Sequence, residues 1–197
     1  MNFASRRRHD EDSVCWPPRD RIRAVLFDLN GTLIFDHPHC GNPDLVCALP
    51  GVVQSVARLR SRGLAIGLVT NQPGVARGMI TLDDVYAVNA RVAELVGPFH
   101  TVAICTHELS DRCRCRKPAP GMIRATARAL RIPTRQCVVV GNSGVDIGAA
   151  RLAGAAAIML SSDELWPFRS PWSKFEPGDG YAVSSFAEAT NRILQFS

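Results

Sequence analysis

Long apolar runs are missing from this chain: no stretch of its 197 residues approaches the ~20 that cross a bilayer, which argues against a membrane-spanning helix. No apolar stretch follows Arg6, Arg7 and Arg8, so the N-terminus does not read as a secretory signal. Internal repeats are absent, and no nucleic-acid-binding module is evident. Cysteines are present in the wrong number for a disulfide framework: there are seven, an odd count, and three crowd into residues 105–115. That pattern suits reduced thiols holding a metal. The net charge of +5 comes largely from scattered arginines and reads as a solvated basic surface that mildly favours anionic ligands. What remains is ordinary. A hydrophobic content of 46% and a charged content of 21% suit a soluble globular protein, and the length suits one domain with one core. The expectation is a cytoplasmic monomer.

Residues 1–20 mix charge, Ser and Pro without periodicity, and Trp16-Pro17-Pro18 cannot continue a helix. They read as a disordered leader, with a single domain over residues 21–197. Beyond it, short apolar runs alternate with longer amphipathic segments. Strands are expected at Ala24–Asp28, Leu64–Thr70, Thr101–Cys105, Cys137–Gly141, Ala156–Leu160 and, weakly, Tyr181–Val183. Thr81 with Asp84 opens a helix to about Val96, and Pro120 takes the first position of a helix to about Leu130. Ser185 with Glu188 has the spacing of a reciprocal cap for a last helix toward Gln195. Alternating strands and helices predict an α/β domain with a doubly wound parallel sheet covered on both faces. The Trp- and Phe-bearing segment 163–180 reads as an aromatic loop on the surface, with a lid or partner patch as alternatives.

Ligands of open α/β sheets bind beyond the carboxyl ends of the strands. Three predicted strands end in polar residues at that edge: Phe27-Asp28, Val69-Thr70-Asn71 and Val140-Gly141-Asn142. With Lys117 in a proline-rich loop, they predict one convergent site. The chemistry that fits is phosphoryl transfer to a carboxylate, with Asp28 attacking phosphorus. The Thr70 hydroxyl and backbone N–H groups near Asn71 and Gly31 would bind the non-bridging oxygens, and Lys117 would neutralise charge. Mg²⁺, a hard ion that takes oxygen ligands, would bridge Asp28 and the phosphate.

A second constellation is separate. Cys105-Thr106-His107 and, after five intervening residues, Cys113-Arg114-Cys115 supply three thiolates and an imidazole, a set that suits tetrahedral structural Zn²⁺. Cys15, Cys40, Cys47 and Cys137 lack such company and are assigned to packing or to the leader.

The segments Asp28-x-Asn30-Gly31-Thr32, Thr70-Asn71-Gln72, Arg116-Lys117-Pro118-Ala119-Pro120-Gly121-Met122 and Gly141-Asn142-x-x-x-Asp146 resemble the four motifs of the haloacid dehalogenase superfamily of phosphatases. Within its subclass IIIA the chain resembles the branch of histidinol-phosphatase and D,D-heptose 1,7-bisphosphate phosphatase, through Thr70–Gly78 and the Cys-Arg-Lys-Pro run. The resemblance covers roughly residues 22–160. It implies a Rossmann-like core, Asp28 as the nucleophile and the backbone carbonyl of Asn30 as a metal ligand. It makes Thr70 and Lys117 partners of the phosphate and the nucleophile, and places Asn142 and Asp146 in the Mg²⁺ loop. Asn71, Arg77 and Arg116 become substrate contacts, and a zinc loop is implied at Cys105–Cys115. The interval between Thr32 and Val52 is short and lacks helical periodicity, so no large cap domain is expected.

The chain departs from the family's pattern twice. Asn30 stands where the family has its acid/base aspartate, and Asn142 where it has a magnesium carboxylate. An amide cannot give a proton to a leaving alkoxide or take one from water. The resemblance therefore implies a Mg²⁺-dependent phosphatase of carbohydrate metabolism, acting on a small phosphorylated metabolite such as a sugar phosphate or bisphosphate, with impaired turnover. A catalytically silent relative that binds a phosphorylated ligand or a partner is the alternative. A nucleic-acid 3′-phosphatase is a third reading, drawn from the basic charge and from resemblance to a neighbouring branch of the superfamily.

Overall fold

The computed structural model describes residues 18, 20–37, 39, 41–161 and 182–197. Most of the expected leader and the whole aromatic segment 163–180 lie outside the described residues, as do Cys15, Cys40 and Tyr181.

Six strands form one parallel sheet: β1 Ala24–Phe27, β2 Ala65–Asn71, β3 Thr101–Cys105, β4 Cys137–Gly141, β5 Ala156–Leu160 and β6 Ala182–Val183. Their order is β3-β2-β1-β4-β5-β6. The chain therefore builds outward from β1 in one direction, then returns and builds outward in the other from β4. The carboxyl ends of β1 and β4 flank this switch point, where such sheets open a crevice.

Successive side chains of a strand face opposite sides, and both sides are apolar here. Val25 and Phe27 of β1 pack with Val56, Leu59, Val88, Val92 and Phe186, which belong to α1 Val52–Ser61, α2 Leu82–Val96 and α5 Phe186–Gln195. Ala24 and Leu26 pack on the other face with Met122, Ile123, Ala127, Ile147 and Ala150, from α3 Gly121–Leu130 and α4 Gly144–Ala153. A sheet buried on both faces leaves only strand ends for polar chemistry.

Local signals explain the helix ends. Thr81 Oγ1 accepts from the Asp84 N–H at 3.1 Å, and Asp84 Oδ2 accepts from the Thr81 N–H at 2.7 Å. This reciprocal cap starts α2, whose Val85, Val88, Val92 and Val96 form its buried stripe. Two expected ends differ. Pro120 is the cap before α3 rather than its first residue. Ser185 does cap Glu188, but the Glu188 carboxylate returns to the Ser184 N–H at 3.0 Å, so no reciprocal box forms. Asp28 lies one residue past β1, and β2 runs from Ala65 to Asn71. Between Thr32 and Val52 the only helical turn among the described residues is the short 3-10 turn Pro43–Leu45, so no large cap domain is inserted there.

Candidate active site

Parallel pairing of Phe27 with Leu68 and Val140 carries Asp28 to the switch point, where its N–H donates to the Val140 carbonyl at 2.9 Å. The chain then reverses tightly. Gly31 takes φ 70°, in the left-handed region that favours glycine, and the N–H groups of Leu33 and Ile34 both return to the Leu29 carbonyl. Asn30 is half-buried in this turn and bridges to Ile34. The Gly31 N–H donates to the Ile34 carbonyl at 2.8 Å. The turn itself uses that amide.

The centre of the site is a buried ammonium. Lys117 Nζ donates to Asp28 Oδ1 at 2.5 Å, to Asp146 Oδ1 at 2.6 Å and to the Val69 carbonyl at 2.8 Å. Three donors meet three acceptors, so the ammonium is fully satisfied. Burial would lower the Lys117 pKa, but Asp146 and Asp28 outweigh it and hold it above the ordinary lysine value. Asp146 stands in the first turn of α4. Its Oδ2 accepts from Ser143 Oγ at 2.5 Å and from the Ser143 N–H at 3.2 Å. Gly141 permits this approach, because a Cβ there would collide with the Asp146 carboxyl.

Burial raises the Asp28 pKa to about 6 from an ordinary 3.8, with Lys117 pulling it down and Asp146 pushing it up. The folded value lies above the unfolded one, so this group favours the fold fully below about pH 4 and loses that contribution as the pH rises through about 6. A shift of this size is worth roughly 3 kcal/mol at most. Asp28→Asn keeps the shape and never ionises. It is therefore expected to melt several degrees above the parent protein at about pH 8 and level with it near pH 4, in magnesium-free buffer. A variant that melts below the parent at pH 8 contradicts this reading.

Thr70 is buried beside this cluster, and its Oγ1 accepts from Gln72 Nε2 at 3.2 Å. That leaves its hydroxyl proton free to donate elsewhere. Asn71 ends β2 with its carboxamide bonded to the main chain of Lys117. Asn142 is half-buried at the turn between β4 and α4. The structure thus brings Asp28, Lys117 and Asp146 into direct contact, with Thr70, Asn71 and Asn142 at neighbouring strand ends. It does not bring the two expected substrate-contact arginines to that cluster. Arg77 pairs with Glu108 at 2.6 Å, and Arg116 donates to the His107 carbonyl at 3.1 Å.

Those arginines lie against the cysteine-rich loop. The ligand atoms of Cys105, His107, Cys113 and Cys115 all lie within 4.8 Å of one another. The three sulfur pairs are 3.4 to 3.7 Å apart, and His107 Nδ1 is 3.3 Å from Cys115 Sγ and 3.7 Å from Cys105 Sγ. A tetrahedral ion with sulfur bonds of about 2.3 Å has edges of about 3.8 Å, so the set has the size of a metal cage. Burial pushes the Cys105 thiol up to about 12. At Cys113, hydrogen bonds, led by the Arg116 N–H, outweigh burial and lower the pKa. The Cys137 thiol is raised to about 11 by burial in the core and is not one of the cage ligands.

Sequence reasoning missed Gln72, Ser143 and Glu108. The Ser143-x-x-Asp146 spacing was a readable cap signal. Neither the contact between Gln72 and Thr70 nor the pairing of Arg77 with Glu108 has a periodic signature.

Comparison with known proteins shows the family and the fold. The family model of haloacid dehalogenase-like hydrolases matches residues 40–154. The D-glycero-beta-D-manno-heptose-1,7-bisphosphate 7-phosphatase of Pseudomonas putida is 36% identical over 146 residues, covering 72% of this chain and 83% of that protein. Its counterpart in Bordetella bronchiseptica is 34% identical over 146 residues, covering 72% and 82%. The crystal structure of D,D-heptose 1,7-bisphosphate phosphatase from B. bronchiseptica, complexed with magnesium and phosphate, superposes with a TM-score of 0.74. That match has 28% identity and covers 89% of this chain and all of the other. The polar switch point, the matched family model and these relatives lead to one assignment: the chain belongs to the haloacid dehalogenase-like hydrolases.

Proposed function

We propose that the protein is a phosphatase of a small phosphorylated sugar, with a heptose bisphosphate as the favoured substrate class. The observation that carries this reading is the Lys117 ammonium held between Asp28 and Asp146 at the switch point. The relatives named heptose-bisphosphate phosphatases support the substrate class.

Asp28 is the nucleophile. With a pKa of about 6 it is largely ionised at neutral pH, and attack on phosphorus forms an aspartyl-phosphate that water then hydrolyses. Lys117 offsets the repulsion between this carboxylate and an anionic substrate. The Thr70 hydroxyl donates to a phosphoryl oxygen, because Gln72 already occupies its acceptor side.

The donor set fits Mg²⁺, which is commonly held by one or two carboxylates together with phosphate oxygens and waters. The second Asp28 oxygen, the Asn30 carbonyl and the Asn142 amide oxygen would hold it, and Lys117 and Ser143 fix the Asp146 carboxylate in place. When bound, the ion supplies charge neutralisation and alignment of the phosphate. Asn142 gives oxygen without charge. Asn142→Asp is accordingly expected to lower the Mg²⁺ concentration giving half-maximal phosphate release by about tenfold or more, since it adds a unit charge beside the ion. A magnesium titration of both proteins checks this, and an unchanged midpoint contradicts it.

Asn30 carries no titratable proton, so the leaving oxygen departs without a side-chain acid at that position and turnover is slow. A second reading, phosphate binding without turnover, is favoured by Asn30 and Asn142 together. Assay of inorganic phosphate from a panel of sugar phosphates with Mg²⁺ separates the two. The phosphatase reading expects slow release that Asp28→Asn abolishes, and the binding reading expects none above the uncatalysed rate.

The cysteine-rich cage is proposed to hold one structural Zn²⁺ through Cys105, His107, Cys113 and Cys115. The cage size supports this, as does the Arg116 N–H donated to Cys113 Sγ at 3.3 Å, which stabilises a thiolate.

A further inference from the structure

The Asn71 carboxamide makes an uncommon pair of contacts. Its Oδ1 accepts from the Lys117 N–H at 3.0 Å, and its Nδ2 donates to the Lys117 carbonyl at 3.2 Å. One side chain thus satisfies both main-chain groups of a single residue 46 positions away. We propose that Asn71 is a positioning residue, whose clamp on the Lys117 main chain fixes the reach of the ammonium to Asp28. The proposal rests on the phosphatase reading for its consequence, and on the hydrogen bonds alone for its geometry.

Lys117 needs such a clamp because no helix or strand holds it. Between Cys105 and Gly121 the chain has no regular element. The main-chain N–H groups nearest Lys117 bond to the loop itself: Arg116 to Cys113 Sγ, Ala119 to the Arg116 carbonyl at 2.8 Å, and Gly121, the first residue of α3, to the Arg114 carbonyl at 3.0 Å. The tie from outside, Arg77 to Glu108, is nine residues before Lys117. Asn71 belongs instead to β2, whose neighbour β1 leads to Asp28. It therefore ties the lysine backbone to the same rigid sheet that carries the nucleophile. A lysine has four rotatable side-chain bonds, so its ammonium is only as well placed as its Cα.

Asn71 also faces the other way. In the sheet it is the register partner of Cys105, and the following N–H, from Gln72, donates to the Cys105 carbonyl at 2.7 Å. Cys105 shares the cage with Cys115, two residues before Lys117. A closed circuit results: sheet, Asn71, Lys117, Cys115, Cys105 and back to the sheet. A carboxamide suits its place in that circuit. Aspartate keeps the acceptor for the Lys117 N–H but turns an unprotonated oxygen toward the Lys117 carbonyl, and alanine removes both contacts. This role of Asn71 is exerted through Lys117 by its side chain.

The chain contains only two lysines, Lys117 and Lys174, so lysine-selective ¹⁵N labelling of the full-length protein gives two ammonium signals, assigned with Lys174→Arg. The parent protein is expected to show a slowly exchanging Lys117 ammonium. Asn71→Ala is expected to speed its proton exchange, and to weaken binding of inorganic phosphate in the presence of Mg²⁺, by roughly ten- to thirtyfold, the worth of two hydrogen bonds. Helical circular dichroism and metal content should stay unchanged. Asn71→Asp should fall between parent and alanine variant, and if the alanine variant fails to fold, faster exchange in Asn71→Asp supports the clamp by itself. Exchange unchanged in whichever variant folds, or no slow ammonium in the parent, overturns the proposal. If exchange responds but phosphate binds none of the proteins, the clamp stands and the phosphatase reading falls.

Discussion

Asn30→Asp is expected to raise the turnover of a sugar phosphate by about 10²–10⁴-fold, the usual worth of a positioned acid/base. The turn that holds Asn30 makes its bonds through the backbone, from Gly31 to Ile34 and from Leu33 and Ile34 to Leu29. The substitution therefore changes the chemistry of one side chain without removing a contact that shapes the turn. A restored carboxylic acid protonates the leaving oxygen and then, as its carboxylate, takes a proton from the attacking water. Combined with Asn142→Asp, the gain should exceed that of either change alone, and Asp28→Asn on that background should abolish it. Asn30 precedes Gly31, a pairing prone to deamidation, so intact-mass and peptide mapping must show that the parent sample carries no aspartate there. Turnover unchanged in the folded Asn30→Asp variant, on every sugar phosphate tried, contradicts the assignment of this position.

Removal of one cage ligand should produce the largest loss of stability. On the zinc proposal, Cys113→Ala is expected to lose the ion and to melt about 10 °C or more below the parent, because several kcal/mol of metal-binding free energy would stabilise only the folded loop. The effect should reach the active site. Cys113 Sγ accepts the Arg116 N–H, one residue before Lys117, and Gly121 at the start of α3 packs against the Arg114 carbonyl so closely that any Cβ would collide. The variant should therefore also bind phosphate more weakly. Elemental analysis after dialysis and a thermal melt check both parts. A zinc-free parent protein, or a variant with the parent's melting temperature, removes the cage from the account.

Much of the fold was legible because the apolar runs are short and well punctuated. Thr101–Cys105, Cys137–Gly141 and Ala156–Leu160 were readable to the residue, and β-branched runs that end in glycine or polar residues leave few alternatives. The helices α1 and α4 were not singled out. The first follows Gly51 at φ 78° without a side-chain cap, and the second is short and alanine-rich, with a weak polar face. The convergence of Asp28 and Asp146 could be anticipated because the apolar runs before them end at one sheet edge, and Lys117 because its charge in a proline-rich loop suited that edge. The direction of the arginines could not. Arg77 and Arg116 had an equal claim on a phosphate by charge, and their contacts with Glu108 and the His107 carbonyl depend on how the cysteine-rich loop folds back. The grip of Asn71 on Lys117 was equally hidden, because a side chain bonded to a distant backbone leaves no mark on the type of residue it holds.

The central claim is that Asp28 attacks a phosphoryl group while Lys117 and Asp146 hold it in place. The most direct test is phosphate release from a heptose bisphosphate with Mg²⁺, measured side by side for the parent protein, Asn30→Asp and Asn30→Asp/Asp28→Asn. The account predicts slow release by the parent, much faster release by Asn30→Asp and none above background once Asp28 is replaced. Release that survives the loss of Asp28, or none even with aspartate at position 30, would contradict it.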